Sequence, residues 1–199
     1  MKLLAATVQA HLANYTTGNF QVYSEDKEIT IFAELNPNIF KPGRIGIQIV
    51  DLPNPFFRVQ IDIISYQDIS DEFAYAYDIK KRKLLANKTI LKEMVKHAIF
   101  VERINDIVNL SDVIGEIKFY TPPESTEPFT RVVVLIKDDR IFKETEVIID
   151  LINASLDIHH AILEIIQKIK LKDKPRFCWR CGARIEGEGY YCPICGVKL

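Results

Sequence analysis

Arg44-Ile45-Gly46-Ile47-Gln48-Ile49 and Arg58-Val59-Gln60-Ile61-Asp62-Ile63 alternate polar and apolar residues without a break. Successive side chains of a strand point to opposite faces, so each hexamer reads as a strand with one apolar face and one wet face. Turn residues bound both: Lys41-Pro42-Gly43 before the first, Pro53-Asn54-Pro55 between the two. Strands joined this closely belong to an antiparallel sheet with one solvated side. Residues 2–10, 20–23, 28–35, 44–50, 57–65 and 73–79 read as strands on the same grounds, with turns at Thr17-Gly18-Asn19 and Asn36-Pro37-Asn38. A sandwich or half-barrel is the local form expected of residues 1–80.

The period then changes. Leu91, Met94, Val95, Ala98, Val101 and Val108 fall at helical spacing, with Asn87 or Thr89 as N-cap, which predicts a helix over about 88–109. Ile99, Phe100 and Ile104 widen its apolar stripe. Strands at about 114–120 and 130–136 flank Thr121–Pro128, whose three prolines and two acids predict an exposed hairpin tip. Ile148, Leu151, Ser155, Ile158, Ile162, Ile165 and Ile169 then recur every three or four residues, predicting a long helix over about 143–170. Ile152, Ala154, Ala161 and Ile166 broaden the stripe. A broad stripe suits packing across the chain's own sheet; a homo-oligomer through the long helix is the other use for it. Residues 171–176 read as a linker, whose Pro175 cannot continue the helix. The fold class is therefore α+β: an antiparallel β-rich body over 1–170 with two helices, the second long, followed by a small C-terminal unit at 177–199.

All four cysteines of the chain lie in that last unit, as Cys178-Trp179-Arg180-Cys181-Gly182 and Cys192-Pro193-Ile194-Cys195-Gly196. Two thiolates two residues apart can hold one metal ion from a tight turn, and the glycine after each pair lets the turn fold back. Two such turns supply four soft ligands in a tetrahedron, the arrangement of closed structural Zn²⁺ sites, with iron as the rival metal. Redox dithiols normally open a helix after a strand, and no strand pattern leads into either pair. Two disulfides suit a secreted chain, and MKLLAATVQAH is too short in its apolar run for a signal peptide.

Phe177, the first CxxCG, Ala183 and Ile185, the polar turn Glu186–Gly189, Tyr191, the CPxCG and the apolar Val197 and Leu199 together resemble the short zinc ribbon found at the ends of many bacterial and archaeal proteins. The resemblance covers residues 177–199 only. It implies structural Zn²⁺ on Cys178, Cys181, Cys192 and Cys195, and no single activity, since such ribbons bind protein, bind nucleic acid or cap a domain. Trp179 stands where the pattern usually has proline.

Charge is balanced over the 199 residues, 26 Lys and Arg against 27 Asp and Glu, but unevenly placed. From Gln167 onward Lys168, Lys170, Lys172, Lys174, Arg176, Arg180, Arg184 and Lys198 face only three acids. Lys168, Lys170, Lys172, Lys174, Arg176, Arg180 and Arg184, with Trp179 for base stacking, are the candidate nucleic-acid contacts. Lys80-Lys81-Arg82-Lys83 reads as a charged connector between a strand and a helix, and Asp68, Asp71 and Glu72 as a solvated loop. His159 and His160 are adjacent, so they point about 100° apart and do not chelate; a partly exposed helix surface accounts for them. No Gly-rich phosphate loop, GxSxG, HExxH or cysteine outside the ribbon marks a catalytic site. The expectation is a cytoplasmic, non-enzymatic adaptor or regulatory protein with a protein partner and no membrane span. A nucleic-acid-binding or transcription-related factor is the alternative. The abundance of Ile, Lys and Glu also fits a heat-loving prokaryotic source, and an AT-rich genome gives the same Ile and Lys bias.

Overall fold

The alternating hexamers lie at the centre of one large sheet. The structure, a computed structural model, describes residues 2–53, 56–66, 73–78, 80–110, 113–120, 129–137, 140–141, 146–172, 176–185 and 190–198, with backbone only for 113–120, 172 and 176. Two compact units divide the chain, Met1–Ile165 and Ile166–Leu199. In the first, α1 (Lys2–Leu12) precedes β1 (Thr16–Ser24), β2 (Glu28–Leu35), β3 (Gly43–Asp51) and β4 (Phe56–Ser65). The short hairpin β5 (Tyr75–Asp78) and β6 (Lys83–Ala86) follows, then α2 (Lys88–Met94), α3 (Ala98–Leu110), β7 (Val113–Tyr120), β8 (Phe129–Lys137) and the long helix α4 (Glu146–Lys172). All eight strands join one antiparallel sheet in the order β1-β2-β3-β4-β8-β7-β5-β6.

The inner face is built in rows. Ile31, Ile47, Ile61 and Val132 stand side by side across four strands, as do Ile29, Ile49, Val59 and Val134. All eight are buried, each worth about 1.5–3 kcal/mol relative to exposure. A third row, Ala33, Ile45, Ile63 and Thr130, ends in a hydroxyl. Thr130 Oγ1 lies 2.8 Å from His159 Nδ1, which places α4 over this face. A helix therefore covers the apolar side, and no second sheet is needed; the sandwich or half-barrel expected of residues 1–80 is an open sheet instead.

Helices flank α4. His11 Nε2 meets Asn153 Oδ1 at 2.9 Å from α1. From α3, Arg103 Nε donates to Asp157 Oδ2 at 2.7 Å, and Tyr75 of β5 meets Phe100 edge-on at 5.6 Å. Nearly the whole circumference of α4 is buried through Ile165; its outward strip holds Asp150, His160 and Glu164.

Several expectations need correction. Residues 2–10 form a helix, because Leu4, Ala5, Val8 and Leu12 bury at helical spacing and the segment has few β-branched residues. The helix expected over 88–109 is two. Asn87 caps α2 by accepting from Thr89 N, and Val95 ends it. His97 Nδ1 accepts from Phe100 N at 3.4 Å and starts α3, a cap that no Gly or Pro announces. Lys80–Lys83 does not connect strand to helix; it closes the β5–β6 hairpin, with Lys81 N donating to Asp78 Oδ1. His159 is buried rather than partly exposed, while His160 is exposed as expected. The Thr121–Pro128 tip and the loop of Asp68, Asp71 and Glu72 lie outside the described residues.

Arg82 sits at φ 49°, where a side chain strains the backbone. Arg82→Gly is expected to gain up to about 1 kcal/mol, raising Tm by about 2–4 °C in a calorimetric scan.

Burial, then the neighbouring His160, pushes the His159 imidazole down from 6.5 to about 3. The unfolded chain therefore binds one more proton than the folded chain between those values, so this stability is complete above pH 6.5 and is lost as pH falls toward 3. His159→Asn keeps a polar partner for Thr130 without that proton. Its acid limb, followed by denaturant titration, is expected to be shallower by up to about 1.4 kcal/mol per pH unit.

Candidate metal centre

The second unit repeats one local structure twice. Cys178 N donates to Ala183 O at 2.8 Å and Gly182 N to Cys178 O at 2.8 Å; fourteen residues on, Cys192 N donates to Val197 O at 2.8 Å and Gly196 N to Cys192 O at 2.9 Å. Gly182 at φ 69° and Gly196 at φ 64° supply the left-handed step that folds each turn back on itself. The strands β9 (Arg176–Phe177) and β10 (Arg184–Ile185) pair antiparallel, and Tyr191 bridges Lys198. The turns thereby face each other.

All four sulfur atoms lie within 4.8 Å of one another, a set able to hold one metal ion. The pairs across the centre are Cys178–Cys195 at 3.5 Å and Cys181–Cys192 at 3.7 Å, far beyond a disulfide bond length. Metal–thiolate bonds of about 2.3 Å in a tetrahedron put sulfurs about 3.8 Å apart, so the spacing suits such an ion. Ile194 N points at Cys192 Sγ from 3.4 Å, a backbone donor suited to a thiolate. Ionisation is unequal among the sulfurs. Burial opposes it at Cys178, but N–H groups of Cys181 and Arg180 and the adjacent thiols outweigh burial and bring it down to about 6. At Cys181 the Ala183 N–H favours the thiolate, yet burial and the three other sulfurs push it up to about 12. One negative sulfur hinders the next; a cation among them removes that conflict.

Among the described residues of the ribbon, Cys178, Ile185 and Cys192 form a small buried cluster, with Ala183, Cys195 and Val197 packed beside them. Around this small core Phe177, Trp179, Tyr190, Tyr191 and Ile194 are exposed, Trp179 by 74%, Tyr190 by 79% and Ile194 by 73%. Trp179 is not loose, because its Nε1 donates to Lys198 O at 3.1 Å. Sequence reasoning singled out Trp179 but not Ile194. Its position was legible all the same, since Ile194 holds the place in the second turn that the exposed Arg180 holds in the first.

The candidate nucleic-acid contacts are scattered over this segment. Lys168 and Lys170 are exposed on α4, Trp179 and Arg180 on the first turn, and Arg184 on β10. Lys172 ends α4 and Arg176 begins β9, both described by backbone alone, and Lys174 lies outside the described residues. In the body, a cleft of about 380 Å³ is lined by Arg103, Asp106, Asn109, Asp150 and Asn153. Arg103 bonds Asp106 and Asp157, and Asn153 meets His11, so these groups serve one another. No described helix is long and apolar enough to cross a membrane.

Fold and site together define a class: an α+β body followed by a four-cysteine module able to hold a metal ion. Compared with known proteins, the chain matches no family model, and no curated protein or solved structure shows significant similarity to it.

Protein purified without a metal-binding tag is expected to carry about one metal equivalent per chain. Cys192→Ser should lose it, and in the native protein metal should dissociate as pH falls, because protons compete for the thiolates. Fresh protein with four titratable thiols and no metal would contradict the assignment.

Proposed function

We propose that the chain is a non-enzymatic adaptor or regulatory protein of the cytoplasm, whose C-terminal zinc ribbon docks on another protein. Zinc is assigned because four thiolates from two short turns form a closed set with no open position, the form of structural rather than catalytic sites. In so small a unit the ion takes the place of an apolar core, so binding it and folding are one event.

The observation that carries the reading is the display of large apolar side chains on a unit with almost no interior. Trp179 has used its one donor on Lys198 O, so its ring presents a pinned, flat, apolar surface rather than a hydrogen-bonding edge. Tyr190 and Ile194 are more than 70% exposed on the same small unit. Rigid aromatic anchors beside an aliphatic one are what a protein pocket recognises best. Exposed Arg180 and Arg184 favour a second reading, in which Trp179 stacks on a base while the cations meet phosphate.

Capture from native extract on immobilised, zinc-loaded chain discriminates the two. A protein partner should be retained through a rise in salt and lost roughly tenfold or more with Trp179→Ala or Ile194→Asp. Nucleic-acid binding should instead fall steeply with salt, by about one slope unit less for each of Arg180→Ala and Arg184→Ala, and disappear on nuclease treatment. Capture unchanged by all four substitutions would refute both readings.

A further inference from the structure

The sheet has two edges, and the chain treats them differently. At one end β6 is four residues long, carries Lys83 and follows the cationic turn of Lys80, Lys81 and Arg82. Short length and lysine are ordinary guards against strand addition. At the other end β1 runs nine residues, Thr-Thr-Gly-Asn-Phe-Gln-Val-Tyr-Ser, with no charge and no proline. Apart from buried Thr16 and half-buried Phe20, every one of them is exposed.

Register shows which backbone groups point outward. Glu25 N donates to Glu28 O at 2.9 Å, closing the β1–β2 hairpin. Antiparallel pairs alternate between bonded and non-bonded, so Tyr23–Thr30 and Gln21–Phe32 exchange hydrogen bonds. The N–H and C=O groups of Phe20, Val22 and Ser24 therefore face away from β2. Among the described residues nothing meets them. A bulge between Thr16 and Phe20, where β1 takes four steps against two in β2 and Gly18 turns at φ 81°, bends the first half of the strand away. Phe20–Ser24 stays in regular register.

We propose that β1 is the pairing edge of a homodimer, in which two copies join antiparallel about a two-fold axis at Val22 and their sheets become continuous. Val22 then pairs with Val22 of the partner subunit, and Phe20 with Ser24 of the partner subunit, and the reverse. The three outward pairs exchange six backbone hydrogen bonds. A second copy is the occupant because a two-fold edge meets its own image, so a net charge along it would be repelled by the same charge on the partner subunit, and β1 has none. Val22, 40% exposed, gains its twin on the helix side of the sheet. On the open side Tyr23, already edge-on to Phe32 at 6.4 Å, comes beside Gln21 of the partner subunit. A pairing this short buries less than the roughly 1,200–2,000 Å² of a standard interface, so the dimer forms in the micromolar range.

Sedimentation equilibrium of the full, metal-loaded chain from about 1 to 200 µM tests this, with the mass expected to rise from 22.9 kDa to twice that value. Val22→Lys and Ser24→Lys should each weaken the dimer at least tenfold while keeping the melting transition, and Thr17→Lys, in the bulge, should leave it unchanged. Hydrogen exchange on the unaltered protein gives a second readout: the amides of Phe20, Val22 and Ser24 should be protected at 200 µM and not at 1 µM. A monomer throughout, a dimer indifferent to both lysines, or equal exchange at the two concentrations overturns the proposal.

Discussion

Once α4 covers the sheet, its polar residues have no water to turn to, and each must find a partner inside. Ser155 Oγ, fully buried, donates back to Leu151 O at 2.6 Å on its own helix. His159 reaches down to Thr130, the hydroxyl that ends an otherwise aliphatic row. An unpaired buried polar group costs about 1–3 kcal/mol, so the His159–Thr130 contact ties the rotation and height of the helix to the sheet, while the Ser155 bond satisfies a buried hydroxyl within the helix itself. Placement of the other helices follows from its flanks, where Asn153 meets α1 and Asp157 meets α3. The partly exposed ion pairs there contribute about 0–1 kcal/mol each and act more as position markers than as sources of stability.

On the opposite face the same sheet meets its polar needs laterally. Gln48 donates through Nε2 to Glu28 Oε1 at 2.7 Å and accepts through Oε1 from Arg58 Nη2 at 2.8 Å, while Arg131 binds Asp62 through Nε at 2.7 Å and Nη2 at 2.8 Å. These are the polar positions of the two alternating hexamers, aligned by register with their neighbours. Bidentate geometry makes Arg131–Asp62 the strongest of them. The alternation that marks the strands in sequence thus also builds a cross-strand polar ladder.

How far the fold can be read from sequence depends on how local its cause is. Strands with strict alternation and the stripe of α4 are legible because one period decides them. Residues 2–10 carry the β-branched Thr7 and Val8, a strand-like signal, yet form a helix because Leu4, Ala5, Val8 and Leu12 bury at helical spacing. The break at His97 rests on a side chain accepting a backbone N–H, a role histidine seldom signals. Burial of His159 depends on Thr130, twenty-nine residues away, and no local pattern carries that. The cysteine cluster lies at the other extreme: nineteen residues, 178–196, contain both turns, both glycines and all four sulfurs, so spacing alone announces it. Partner choice is illegible for the complementary reason, since it depends on surfaces of another molecule.

The two proposed surfaces belong to different units, and their coupling does not require them to touch. A dimer through β1 carries two ribbons. A partner that offers two docking pockets, or that is itself two-fold, would then engage the second ribbon at an effective concentration set by the tether rather than by solution, and avidity of 10²–10⁴ is the usual gain when both sites can be reached. A single ribbon, with an interface limited to a few exposed side chains such as Trp179, Tyr190 and Ile194, supports only weak attachment. The same linkage runs backward: a bivalent partner favours the dimer by as much as the dimer favours the partner. A weak edge and a weak ribbon can in this way produce a tight complex that appears only when copies and partner are present together, which is the behaviour expected of an adaptor rather than of a permanent subunit.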